Sequence, residues 1–113
     1  MAEIAKYPLV SLPSDSRTRR LIDSAAAADG ISLEHVVTVT QFATMMSFVR
    51  AGVGLAIVPA GSLANSLSRQ LVAIRLTKPR LSHHLGIIRL RDRELTPAAA
   101  GFAALLRHSW CAR

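Results

Sequence analysis

The chain has 113 residues, a length suited to one domain or one and a fragment, and half of them are hydrophobic with few aromatics. A single cysteine, Cys111, excludes an internal disulfide framework, and no apolar run approaches the roughly 18 to 20 residues of a membrane span. Fourteen Lys and Arg against seven Asp and Glu give a net charge of +7, but they form no stripe with interleaved aromatics, which points to solvated faces and attraction for anions rather than direct nucleic-acid contact.

In chain order, residues 1–7 read as a leader without a signal-peptide core, so a soluble cytoplasmic protein is expected. Residues 8–12 (Pro-Leu-Val-Ser-Leu) predict a short strand, and Pro13, Ser14, Asp15 and Ser16 a loop of turn and capping residues. A helix should follow to Ala28, burying Leu21, Ile22 and Ala25, with Gly30 closing it. Residues 35–39 are rich in β-branched side chains and predict a second strand.

Thr40 then stands where a cap would accept from first-turn amides. Phe42, Met45, Met46 and Val49 fall at i, i+3, i+4 and i+7, the buried face of a helix. Gly52 suits the left-handed residue that ends it, and Gly54 lets the next segment start close by. Residues 55–58 carry no polar side chain, as in a parallel strand covered on both faces. A short helix at 60–67 and a strand at 71–76 come next. After a connector at 79–84 there is a further apolar strand at 85–90. Arg91 to Glu94 make a charged turn, and Thr96-Pro97 open a last helix whose buried face holds Ala98, Phe102 and Leu105. The alternation argues an α/β fold: a parallel sheet, mixed at its edge, with helices on both faces.

The stretch Val49-Arg50-Ala51-Gly52-Val53-Gly54-Leu55-Ala56-Ile57-Val58-Pro59 resembles the VxAGxGxAxxP turn and strand of the effector-binding domain of LysR-type transcriptional regulators. The opening Pro8-Leu9-Val10 strand and its serine-rich loop resemble the start of that domain's second subdomain. Arg91-Asp92-Arg93-Glu94-Leu95-Thr96-Pro97-Ala98-Ala99-Ala100-Gly101-Phe102 is similar to its closing RxRxL(S/T)PAAxxF segment. These three ordered matches cover about residues 8–107. The resemblance implies a Rossmann-like lobe of a type II periplasmic-binding-protein fold. By it, residues 8–80 form the second effector subdomain, and 85–113 a crossover strand and helix returning toward an incomplete first subdomain. It also implies a ligand cleft between subdomains, a homodimer or higher oligomer, and DNA contact only through an N-terminal helix-turn-helix that this chain does not contain. The chain is thus expected to be part of a regulator.

Chemistry concentrates at helix N-termini, where free amides and the positive end of the dipole can hold a carboxylate without a cationic side chain. Ser11, Ser14 and Ser16 (with Asp15 between them) surround one such end, and Thr40, Gln41 and Phe42 another. In a doubly wound sheet both lie at the carboxyl ends of strands, where ligands bind. These residues are therefore candidates for contact with a small, anionic effector, although plain capping would use the same residue types. Gly52-x-Gly54 follows a helix and precedes a strand, the reverse of a dinucleotide fingerprint. His83 and His84 are adjacent and would face opposite ways in an extended segment, a poor metal site. There is no G-x-S-x-G elbow and no H-E-x-x-H. The expectation is therefore a non-enzyme without metal or cofactor. Two other readings stay open: a free-standing small-molecule-binding module and a small basic nucleic-acid-binding protein.

Overall fold

The structure, a computed structural model, describes residues 1–63 and 69–111. It divides into two units, Met1–His83 and His84–Arg113. In the first, a 3₁₀ turn (Ile4–Lys6) precedes strand β1 (Leu9–Ser11), helix α1 (Arg17–Ala28), strand β2 (His35–Thr38) and helix α2 (Phe42–Arg50), and a further 3₁₀ turn spans Ala60–Leu63. β1 and β2 pair in parallel, with α1 as the crossover that parallel neighbours need. Residues 1–7 are not a loose leader. Met1 is buried, and its ammonium group donates to the Lys78 carbonyl at 2.8 Å.

A third segment docks on the other edge of β1. The Val10 amide donates to the Leu55 carbonyl (2.9 Å) and the Leu55 amide to the Pro8 carbonyl (3.0 Å), one parallel bridge between Leu9 and Leu55. The strand expected at 55–58 reduces to that bridge because β1, only three residues long, offers no further partner. Leu55 is accordingly 40% exposed rather than covered on both faces. The approach is tight at Gly54, where a built Cβ would collide with the Pro8 carbonyl oxygen and carbon. Gly52, at φ +80°, takes the left-handed conformation that ends α2.

The pairing of β1 with β2 carries an irregularity. Leu9 stands opposite His35 but Val10 stands opposite Val37, so Val36 is an extra residue on β2. Two residues apart on a regular strand, His35 and Val37 would share a face. The extra residue lets them part. Val37 joins Val10 against the buried Met45 and Met46 of α2, with Phe42, Phe48 and Val49 around them. His35 instead meets Ser11 and α1.

Helix α1 begins at Ser16, whose hydroxyl accepts from the Arg19 amide at 3.1 Å, and ends before Gly30 at φ +67°. Its buried side chains are Ile22 and Ala26, which corrects the expected Leu21, Ile22 and Ala25. The inner stripe is Arg19, Ile22, Asp23 and Ala26, at i, i+3, i+4 and i+7. Two of its four members are charged, so apolar periodicity could not find it.

No strand forms at 71–76 or 85–90 among the described residues. In the second unit, helix α3 (Pro97–Cys111) starts as expected, with Thr96 Oγ1 accepting from the Ala99 amide at 3.2 Å. Its expected buried face is absent: Ala98, Phe102 and Leu105 are exposed and Ala103 is buried. Ile88 is 94% exposed, which an apolar strand becomes when it has no neighbour to pair with. The helix expected at 60–67 begins as the 3₁₀ turn, and its second half lies outside the described residues. No helix among the described residues is long and apolar enough to cross a membrane.

Candidate functional site

Because β1 and β2 run in parallel, the loops leaving their carboxyl ends emerge on one side of the sheet. The first carries Ser14 and Ser16 into α1, and the second carries Thr40, Gln41 and Phe42 into α2. Ser11 closes β1 at the same end, where its carbonyl accepts from the Val39 amide at 2.9 Å. Ser11, Thr18 and Arg19 line a hollow there together with Leu12, Ile22 and Ile57. It has room for about one water-sized sphere, too little to bury a metabolite.

The candidates divide on inspection. Ser16 is committed to capping, and Ser14 is exposed in the loop before it. Thr40 does not cap α2. The N-cap is Gln41, in extended backbone at φ −113° and ψ 137°, and no side chain caps that end. The chain stays extended one residue longer than expected, which leaves Thr40 outside the helix and exposed. Phe42 is half-buried against the methionine core and contributes mainly packing. What α2 presents at this end is therefore its uncapped first-turn amides, flanked by the exposed Thr40 and Gln41.

One arrangement escaped the sequence reading. Ser11 Oγ lies 2.6 Å from His35 Nδ1, and His35 Nε2 lies 3.0 Å from Asp23 Oδ1. Arg19 Nε donates to Asp23 Oδ2 at 2.8 Å, and its Nη1 donates to the Leu12 carbonyl at 3.1 Å. The chain of bonds ties β1, β2, α1 and the loop after β1 into one polar cluster on the α1 side of the sheet. Arg19 and His35 side chains are each 14% exposed, so a charge change in the cluster is only partly screened by water. Only the Arg19–Asp23 spacing of four could have been read from the sequence. A serine, a histidine and an aspartate in a row invite comparison with a hydrolytic triad. The Ser11 residue, however, is 9% exposed and lies on a strand rather than on the sharp turn that presents a nucleophile. His83 Nε2 lies 3.3 Å from Thr18 Oγ1. Among the described residues, no cluster of three or more His, Cys, Asp or Glu could hold a metal ion.

Comparison with known proteins gives a consistent result. The family model described as the LysR substrate binding domain matches residues 1–111. The chain is 32% identical over 108 residues to YbhD of Escherichia coli (strain K12), an uncharacterized HTH-type transcriptional regulator, covering 96% of this chain and 34% of that protein. It is 35% identical over 92 residues to YfeR of Shigella flexneri, named in the same way, covering 81% of this chain and 30% of that protein. The chain thus spans about a third of the length of these relatives. No solved structure matches.

Proposed function

Since this chain belongs to the LysR substrate binding domain family, we propose that it senses a small anionic effector for a DNA-binding transcriptional regulator in the cytoplasm. Residues 8–80 form the second effector subdomain, one lobe of a Rossmann-like, periplasmic-binding-protein-like fold. Residues 85–113 are the segment that returns to the first subdomain. DNA contact belongs to a helix-turn-helix outside this chain, and the working form is a homodimer.

What supports this reading is the shared carboxyl end of the parallel pair, where Ser11 ends β1 and from which the Ser14 loop and the loop into the uncapped first turn of α2 both leave. Those amides and the helix dipole favour a carboxylate, and the net charge of +7 attracts anions to the chain in general. The hollow in this unit belongs to one wall of a cleft; the first subdomain would supply the other wall. Binding acts as a population shift: an effector that fits the closed cleft better than the open one changes how the two protomers hold their DNA-binding domains. No step in this scheme is catalytic.

The test places Ser11→Ala and Gln41→Ala in the intact regulator and measures operator binding with and without effector. The variants should keep basal DNA binding and lose effector response. An unchanged effector response in both variants would refute the placement of the site.

A further inference from the structure

The Ser11–His35–Asp23 chain fixes which way a proton points at the mouth of the proposed cleft. Asp23 accepts from Arg19 Nε, and as a carboxylate it can only accept. His35 Nε2, 3.0 Å from Asp23 Oδ1, must therefore be the protonated nitrogen when the ring is neutral. Nδ1 then has only a lone pair. The hydrogen bond of 2.6 Å to it can be made only by the Ser11 hydroxyl, as donor. Ser11 has a single proton, so while His35 is neutral the hydroxyl offers the cleft nothing but lone pairs, which repel a carboxylate.

Protonation of His35 reverses this polarity. Nδ1–H then donates to Ser11 Oγ, and the hydroxyl proton is released to donate elsewhere. The charge of the cluster changes in the same sense. Arg19 and Asp23 cancel, so the cluster is neutral with a neutral ring and carries +1 with a charged one. The titratable and charged groups beside the ring come from α1 (Arg19 and Asp23); β1 and the segment at Leu55 contribute none, and His83 touches the cluster's rim through Thr18.

We infer that His35 is a positioning residue that makes anion acceptance at Ser11 conditional on uptake of one proton, Asp23 holding the ring so that only this tautomer is available. The inference rests on the proposal that Ser11 borders the effector cleft. It adds the chemical class the subsite takes in each state: a hydrogen-bond donor when His35 is neutral, a carboxylate when it is charged.

The test uses the 113-residue chain with ¹⁵N-labelled histidine, sodium acetate as the probe, and imidazole ¹⁵N spectra from about pH 5 to 8, the range in which histidines titrate. Neutral His35 should be protonated on Nε2. Acetate should raise the His35 midpoint, by roughly one pH unit at saturation for each tenfold preference for the charged ring, while His84 and His108 report any general salt effect. Ser11→Ala should keep the Nε2–H tautomer and abolish the acetate-dependent rise, and Ser11→Thr should restore it. An Nδ1–H tautomer in the neutral ring overturns the inference. So does an acetate effect on His35 that is absent, matched by His84, or retained in Ser11→Ala. These readouts involve neither effector nor DNA, so failure of the regulatory reading, seen in operator binding, is distinguishable from failure here.

Discussion

Replacing Gly54 by alanine should be the most damaging single-methyl change in the first unit. A Cβ at this position would collide with the Pro8 carbonyl oxygen and stand 2.9 Å from its carbon, both backbone atoms with no rotamer to yield. Relief requires the segment to back away from β1. That endangers the two hydrogen bonds joining them, Val10 to Leu55 and Leu55 to Pro8. Two bonds at about 1 kcal/mol each, plus about 1 to 3 kcal/mol for overpacking, less about 0.5 to 1 kcal/mol regained from the stiffer unfolded chain, leave a loss of roughly 2 to 4.5 kcal/mol. Two other glycines calibrate the figure. Gly52→Ala meets no atom within 4 Å but holds φ +80°, so it should lose only about 1 kcal/mol. Gly101→Ala lies inside α3 in open space and should gain about 0.5 to 1 kcal/mol in that helix. Urea unfolding of the three variants, followed by far-ultraviolet circular dichroism with the m value checked for constancy, measures the order. If Gly54→Ala loses no more than Gly52→Ala, the close approach at Pro8 does not hold this edge of the sheet.

Ser16→Ala and Thr96→Ala each remove an observed cap and should destabilise their helices by about 1 kcal/mol, whereas Thr40→Ala, which removes none, should stay within about 0.5 kcal/mol; thermal unfolding ranks the three. The 113-residue chain should bind an identified effector far more weakly than the two-subdomain domain, since most of the ligand would stay wet. Calorimetry giving equal affinities would contradict that. The chain should also self-associate, because Ile87, Ile88 and Leu90 with Phe102 and Trp110 leave a large apolar area exposed. Sedimentation equilibrium at micromolar concentration should show a species near twice 12.2 kDa, weakened by Phe102→Asp, and a clean monomer would refute it.

Local signals were the legible ones. Ser16 at its cap, Gly30 and Gly52 at positive φ, and Thr96-Pro97 at the start of α3 each depend on neighbours within a few residues, and each stands where the sequence puts it. The family was legible for a similar reason: the Val49 to Pro59 stretch packs a helix end, a glycine turn and a close approach to β1 into eleven positions. Strands were another matter. Residues 85–90 have the composition of a strand, but a strand exists only when another supplies its hydrogen bonds, and composition does not supply the partner. Thr40 failed as a cap through a one-residue extension of backbone that no side-chain preference encodes. The polar cluster was hidden for two reasons. Ser11, Asp23 and His35 come from three elements at no characteristic spacing. The bulge at Val36, which turns His35 to the α1 side, leaves no mark in a pattern of period two.

The position of β1 in the sheet also governs the order in which this unit can assemble. The strand nearest the start of the chain is flanked by β2 on one edge and by the Leu55 segment on the other, and both partners come later. A ribosome therefore releases the middle of the sheet first and its borders afterwards. Until Leu55 has emerged, one border of β1 stays bare, with the amide of Val10 and the carbonyl of Pro8 unmated and open to a neighbouring nascent chain. Closing the longer of these two loops costs more chain entropy, and the glycine turn after α2 offsets part of that cost by aiming the chain back at Pro8, so the bare border is covered once Leu55 is free to reach it.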